Sequence, residues 1–345
     1  MSIVIVSFTK AGTEISKKLN KALKDKDYRV EAFGKYPSGI VGKLEGSIYE
    51  FTRTCFQEEV QGIIFVGALG IAVRAIAANI VSKGKDPAVV VMDDGGRFVI
   101  PVLSGHIGGA NELATYISER LEAMPVITTA TDGHGIFAID TWAVKNQCSI
   151  LELSKIKYIS SALLKGEKVG FMSDYTVEGV FPEGIEGGIN CNTGICISAN
   201  MSKRPFEETL NLIPKEYIIG VGCRKNIPSE AFEKVLNNVL KEHNISVMQI
   251  KKIASIDIKA SEVAILNYCK KNGLEFITYS AEELLKVEGE FSSSAFVKSI
   301  TGVDNVCERA AQKASEDLEG KLVLKKKSCD GITVAISKIN WRCRF

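Results

Sequence analysis

Residues 83–133 constrain this chain more than any other stretch. An apolar run over 88–92 leads through Asp93-Asp94-Gly95-Gly96 into a second run over 98–103. Asp and Gly between two apolar runs signal a hairpin. The chain then passes through Ser104-Gly105-His106-Ile107-Gly108-Gly109 into a helix whose apolar stripe is Leu113, Ile117 and Leu121. Glycine at such a strand-to-helix junction lets a ligand approach the backbone, and helix N-termini attract anions. A further strand over 126–130 leads into Thr131 and Asp132. An imidazole beside an anion site, with a carboxylate at a neighbouring strand end, is the layout of a reaction centre and a poor one for packing.

The rest of the first 140 residues alternates in the same way. Strands are expected over 3–7, 28–33 and 62–66, with helices over 11–24 and 71–81 and an amphipathic segment near 48–56. Alternation of this kind means α/β layers, with ligands at the C-terminal ends of strands. From 141 to 214 the signal weakens. A helix is expected over 156–164 and a strand over 169–172, but 183–188 and 190–198 mix Gly, Asn and Cys without clear period. A second α/β unit begins with a strand over 217–222 and a helix over 229–242 bearing Phe232, Val235, Leu236 and Val239. A strand over 250–255, a helix carrying Val263, Leu266 and Cys269, and a capping box at Ser280 and Glu283 follow. A hairpin over 322–324 and 332–336 turns at Asp330-Gly331. The expected fold class is α/β: two α/β sandwich units joined by a small middle module, divided as 1–140, 141–214 and 215–345.

Composition narrows the function classes. Forty-three basic and 41 acidic side chains leave a net charge of +2, so no global field draws the chain to nucleic acid or acidic lipid. Anion binding has to be local. The longest apolar stretch, over 62–73, is too short to span a bilayer. Nine cysteines without a C-x-x-C pair argue for free thiols in a reducing cytosol and against a disulfide framework, and give weak grounds for zinc. A cytoplasmic protein is expected.

Each candidate residue has a plain reading beside the functional one. His106 either caps a carbonyl in its turn or acts as a base; His134 reads as part of a loop and His243 as a helix-dipole partner. Asp93 and Asp94 either shape the hairpin or take part in chemistry, and Asp132 either caps or catalyses. Gly67 and Gly70 either hold an anion or make a tight turn, without a dinucleotide or phosphate-loop fingerprint. Arg74, inside an apolar segment, either snorkels or faces a ligand. Lys325-Lys326-Lys327 reads as a solvated strand end.

Taken together, the motifs resemble the CbiG family, the cobalt-precorrin-5A hydrolases of anaerobic cobalamin biosynthesis. The resemblance runs over nearly the whole chain. Its strongest parts are Gly67-Ala68-Leu69-Gly70-Ile71-Ala72-Val73-Arg74, Lys83 with Asp86-Pro87, Ser104-Gly105-His106 with Gly108-Gly109-Ala110-Asn111, and Thr128-Thr129-Ala130-Thr131-Asp132. Gly220-Val221-Gly222-Cys223-Arg224, Lys259 with Glu262, and Glu308-Arg309-Ala310-Ala311 extend it to the second unit. The chain departs from the family pattern at Ser292-Ser293-Ser294, where a proline is usual, and after Ile339, where the pattern ends. The resemblance implies opening of a δ-lactone and release of acetaldehyde from a cobalt-corrinoid substrate rich in carboxylates. For that reaction residue chemistry, and not the resemblance, makes His106 or Asp132 the candidate general base, the same His or Asp93 or Asp94 the candidate base for the carbon–carbon cleavage, and N–H groups around Gly108–Ala110 the candidate anion hole. Implied substrate contacts are Gly67, Gly70, Arg74, Lys83, Arg97, Ser104, Gly108, Gly109, Asn111, Glu112, Thr128, Thr129, Arg224 and Lys259. No cofactor is implied, since the cobalt is carried by the substrate. Other enzymes of the pathway are the partners expected for handover, with no nucleic acid and no membrane. The alternative from a different class is a non-catalytic tetrapyrrole-binding carrier.

Overall fold

Apolar residues at consecutive positions of a short strand demand cover on both faces of the sheet. A computed structural model, which describes residues 2–26, 28–58, 60–82, 84–128 and 136–345, shows how that demand is met. The described residues form two compact units, Met1–Trp142 with Ser160–Glu167, and Ala143–Ile159 with Lys168–Phe345.

The first unit is built on strands β1 (Ser2–Ser7), β2 (Arg29–Gly34), β3 (Val41–Lys43), β4 (Gly62–Val66), β5 (Ala88–Met92), β6 (Phe98–Leu103) and β7 (Met124–Pro125), in the spatial order β3-β2-β1-β4-β5-β6-β7. Strands β1 to β5 run parallel; β6 is antiparallel to β5, and β7 is parallel to β6. Alternate residues face opposite ways. Ile3, Ile5, Ile64, Val90 and Met92 pack with Leu19 and Leu23 of α1 (Lys10–Lys24). That face also takes Leu113 and Ile117 of the fourth helix. Val4, Val6, Ile63, Phe65, Val89 and Val91 pack with Cys55 of α2 (Ile48–Gln57) and with Ala72, Ala75 and Ile76 of α3 (Leu69–Ile76). The remaining helices of the unit are α4 (Ala110–Leu121) and α5 (Ile139–Lys145). Thr9 caps α1 by accepting from the Gly12 N–H, and a Ser47–Glu50 capping box opens α2.

Two expected elements differ. Helix α3 stops at Ile76 instead of continuing to 81: the Asn79 N–H turns back onto the Ile76 carbonyl at 2.8 Å, and the Val81 N–H donates to the Asp86 carboxylate at 2.9 and 3.2 Å. The last strand falls on Met124–Pro125, ahead of 126–130; beyond it the Val126 N–H still donates to the Val99 carbonyl. Residues 129–130 lie outside the described residues.

The second unit holds two further five-stranded sheets. One comprises β8 (Cys148–Ile150), β9 (Val169–Ser173), β11 (Ile185–Gly187), β12 (Thr193–Ile197) and β13 (Glu208–Pro214), with β10 (Val177–Glu178) in a separate two-residue ladder. Strands β11 and β12 are the stretches whose sequence lacks a clear period. A Cβ on Gly170 or Gly194 would lie 2.3 or 2.5 Å from the Phe206 ring, so glycine stands where an alternating apolar residue is expected. The other sheet comprises β14 (Tyr217–Cys223), β15 (Ile250–Ile256), β16 (Glu275–Tyr279), β17 (Lys321–Cys329) and β18 (Ile332–Lys338), ordered β16-β15-β14-β18-β17. Ile219, Val221, Ile253 and Val334 pack there against Phe232, Leu236 and Ile265. The tail ends in β19 (Cys343–Arg344), paired with β10. The chain is thus an α/β protein with sheet-and-helix units at both ends and a distinct sheet between them.

Candidate active site

The junction Ser104–Gly109 is held by close backbone packing. Ser104 has a positive φ of 57°, and Gly109 one of 83° where it caps α4. A Cβ at Gly108 would lie 2.3 Å from the Ser104 Cβ, and one at Gly105 would lie 2.8 Å from Asn111 Oδ1. Glycine at 108 is therefore a packing requirement, whereas at 105 the Asn111 side chain alone stands in the way. The N–H groups of Gly109, Ala110 and Asn111 donate to the carbonyls of His106, Ser104 and Gly105, at 3.0, 3.1 and 2.9 Å. Of the anion hole expected around Gly108–Ala110, the loop itself occupies the Gly109 and Ala110 donors. The N–H groups of Ile107 and Gly108 have no carbonyl acceptor among the described residues.

His106 faces a partner that sequence reading missed. Its Nδ1 lies 2.9 Å from Asp140 Oδ2, and the two side chains are only 17% and 14% exposed. The other Asp140 oxygen accepts from the Thr141 N–H at 2.9 Å, which fixes the carboxylate at the start of α5. Trp142, buried and edge-on to Phe137 at 6.0 Å, packs one turn away. The signal was modest: an acidic residue opening a short helix, 34 positions after the histidine, reads as an ordinary first-turn acid.

A cavity of about 520 Å³ opens beside this loop, lined by Ile107 and Gly108, by Lys85, Asp86 and Pro87, and by Tyr28, Phe56, Val60 and Gln61. These residues approach β2, β4 and β5 from their N-terminal ends. Ser104 Oγ donates to the Asp86 carbonyl and ties the loop to the same edge.

The candidate residues divide between two edges of the sheet. Because β6 is antiparallel to β5, with Val89 opposite Leu103 and Met92 opposite Val99, Ser104, His106, Gly108, Gly109 and Asn111 cluster at the N-terminal edge of the parallel strands. Gly67, Gly70, Asp93, Asp94 and Arg97 lie at the opposite edge, a five-residue strand or about 16 Å away. The structure does not bring Asp93 or Asp94 to His106. Asp93 accepts from the N–H groups of Arg97 and Phe98, both at 2.7 Å, and pairs with the Arg97 side chain at 3.3 Å. Burial raises the Asp93 pKa, but those hydrogen bonds and the Arg97 charge outweigh it and hold the carboxyl below its ordinary value. Asp94 Oδ2 accepts from Thr9 Oγ1 at 3.4 Å, and Arg74 is exposed on α3.

Glu112 is exposed and lies 3.9 Å from Lys26, and Thr128 is exposed just past β7. Lys83, Thr129, Asp132 and His134 lie outside the described residues. In the second unit Arg224 follows β14, its N–H donating to the Gly331 carbonyl. Lys259, half-buried, pairs with the buried Glu262 at 2.9 Å. Beside that pair, burial pushes the Cys223 thiol up to about 11, with Lys259 opposing and Glu262 reinforcing the shift. Among the described residues no group of His, Cys, Asp and Glu has the arrangement of a metal site, and no helix is long and apolar enough to cross a membrane.

Three family profiles match consecutive parts of the chain: "Cobalamin synthesis G N-terminal" over residues 50–132, "Cobalamin biosynthesis central region" over 137–214, and "Cobalamin synthesis G C-terminus" over 217–337. The chain is 30% identical to a cobalt-precorrin-5A hydrolase of Priestia megaterium, over 97% of its own length and 94% of the relative's. It is 29% identical to a cobalt-precorrin-5A hydrolase of Salmonella typhimurium, over 97% of both. A crystal structure of a cobalamin biosynthesis protein G homologue from Sulfolobus solfataricus is 24% identical and covers 98% of this chain and 97% of that one, with a TM-score of 0.44.

Proposed function

The chain belongs to the CbiG family of cobalamin synthesis, and from that membership we propose that it is a cobalt-precorrin-5A hydrolase. In this reading it opens the δ-lactone of cobalt-precorrin-5A and releases the two-carbon fragment as acetaldehyde, leaving cobalt-precorrin-5B. The single observation that carries a site for it is the half-buried His106–Asp140 pair on the loop whose next residues, Ile107 and Gly108, line a cavity of about 520 Å³.

The chemistry balances on the chain's own groups. His106 Nε2 takes a proton from water, the water oxygen bonds to the lactone carbonyl carbon, and the carbon–oxygen bond of the ring breaks. The imidazolium returns the proton to the leaving ring oxygen. The freed hydroxyl then gives its proton to the same nitrogen, the adjacent carbon–carbon bond breaks with its electron pair staying on the macrocycle as acetaldehyde departs, and the imidazolium releases the proton to solvent, restoring the neutral ring. The N–H groups of Ile107 and Gly108 are the donors proposed for the oxyanion. Lys85 is the proposed partner for a peripheral carboxylate, and Tyr28, Phe56 and Val60 for the apolar rim of the macrocycle.

Cobalt enters with the substrate, and the reading needs no resident cofactor. Ser104, Gly108, Gly109 and Asn111 support the loop in this proposal. Gly67, Gly70, Arg74, Asp93, Asp94 and Arg97 belong to the other edge and take no part in the bond-breaking steps. Cytoplasmic residence, handover with neighbouring enzymes, and the division at 1–140, 141–214 and 215–345 are part of the same proposal.

The test is anaerobic incubation of purified protein with cobalt-precorrin-5A, reading acetaldehyde. We expect one equivalent from wild type and at least a hundredfold slower release from His106→Ala. Well-folded wild type that binds the corrinoid and releases none would favour the carrier reading instead.

A further inference from the structure

We propose that Glu216 is a buried latch: its carboxylate ties the middle sheet to the C-terminal sheet, so that the two open together as one cooperative body. The inference is independent of the reaction proposed above and rests on where the chain places one charge.

Glu216 stands at the seam between two family profiles, which match residues 137–214 and 217–337. A short link between separate modules is ordinarily exposed. Glu216 is instead 2% exposed, and both of its carboxylate oxygens are taken. Oε1 accepts from the Tyr175 hydroxyl at 3.1 Å and from Gln249 Nε2 at 3.4 Å, and Oε2 pairs with Lys338 Nζ at 3.3 Å. Tyr175 follows β9 of the middle sheet, Gln249 closes the turn before β15, and Lys338 ends β18. The donors therefore come from both sheets.

Those donors are themselves held. Gln249 Oε1 accepts from the Ser246 N–H at 2.9 Å, which aims Nε2 at the carboxylate. The Tyr175 ring packs edge-on to Trp341 at 5.1 Å, and the Ile339 N–H donates to the Glu216 carbonyl at 2.9 Å.

A buried charge is tolerated only while its partners are in place. Unfolding the middle sheet removes Tyr175, and unfolding the C-terminal sheet removes Gln249 and Lys338. Either event leaves a half-satisfied charge on the sheet that remains. Each sheet is thus weaker without the other, which is energetic coupling. Neutral bonds also cross the seam, from Ser149 Oγ to the Met248 carbonyl and from Trp341 Nε1 to the Asn146 carbonyl, both at 2.8 Å. Losing either of these strands no charge, so they hold the seam without the same penalty for opening one side alone.

The test follows hydrogen exchange strand by strand in the full chain across a urea series. In wild type we expect β9 and β12 to lose protection at the same urea concentration as β14 and β15, with a common slope. Glu216→Ala should split the loss in two, and the slope of each opening should fall to about half, because each exposes about half the surface. Tyr175→Phe deletes only the middle sheet's bond and keeps the charge; it should split the midpoints by a smaller interval.

A residue that merely stabilised the fold would move both pairs of strands down together at unchanged slope, and that result in Glu216→Ala would overturn the proposal. Wild-type sheets that lose protection at different urea concentrations would overturn it as well. Should Glu216→Ala fail to fold, Tyr175→Phe decides by the same criterion: a parallel loss in the two sheets refutes the latch.

Discussion

A methyl group at Gly108 has nowhere to go: its carbon would lie 2.3 Å from the Ser104 Cβ and 2.9 Å from the Ser104 carbonyl oxygen. Gly108→Ala should therefore cost about 1–3 kcal/mol in denaturant unfolding and displace His106 enough to slow acetaldehyde release. Gly70 provides the contrast. Nothing lies within 4 Å of its would-be Cβ, so Gly70→Ala should leave both stability and turnover within about twofold of wild type. Equal losses in the two variants would refute this reading of the loop. The sequence singles out both glycines in the same terms, as residues at a strand-to-helix turn. Only the packing of Ser104 against Gly108 separates a steric requirement from a permissive turn. For the same reason His106 was legible as the sharpest candidate, whereas Asp140 was not: the bond between them joins positions 34 apart.

Among the elements, the short helix α11 (Cys307–Lys313; the helices before it are α6 Ile156–Leu164, α7 Ser229–Glu242, α8 Val263–Asn272, α9 Ala281–Leu285 and α10 Ala295–Thr301) holds a charge that a core does not normally tolerate. Glu308 is fully buried. It accepts from Ser292 Oγ at 2.6 Å, the Ser292 N–H at 3.0 Å and the Lys326 N–H at 2.7 Å. Burial pushes its pKa up, but the Ser292 hydroxyl, the Lys326 and Ser292 N–H groups and Asn305 together hold it below the ordinary glutamate value. The stabilisation is present above the unfolded pKa of about 4.3 and is lost as pH falls through the lower folded value. Glu308→Gln should cost about 2–4 kcal/mol at neutral pH and flatten the acid side of the stability curve. An acid limb unchanged in the variant would contradict this account. Ser292, where the family pattern usually has a proline nearby, thus supplies both a hydroxyl and an N–H to the network. Proline at position 292 itself would remove both donors.

At the scale of the whole molecule, the last six residues act on the second unit well beyond their own length. Trp341 and Cys343 are buried, and Trp341 Nε1 donates to the Asn146 carbonyl at 2.8 Å. Strand β19 pairs with β10, and the Phe345 ring sits 5.1 Å from both Phe171 and Phe181. Residues that belong to the end of one sheet's segment thereby complete the core of the other. Removing residues 340–345 should destabilise the second unit by about 3–6 kcal/mol, the worth of two or three buried aromatic and apolar side chains. Calorimetry should show its transition moving down while that of the first unit stays in place. A tail deletion without thermal consequence would mean that these contacts add nothing to the fold.

Local pattern was enough to establish the α/β character of both ends, the hairpin at Asp93–Gly96, the helix over 156–164 and the family resemblance, because these depend on side-chain period and turn chemistry within a few residues. Tertiary structure alone decided the rest. The hairpin at Asp93–Gly96 carries β6 back antiparallel and so sets His106 and Asp93 at opposite edges, but which edge holds a cavity appears only in the packed sheet. Chain crossing brought Asp140 to His106 and the tail to β10. In the middle sheet, Phe206 filling the space above Gly194 removed the alternation by which β12 would have announced its inward face. A sequence records which residues need cover; which distant residues provide it is fixed only when the layers pack.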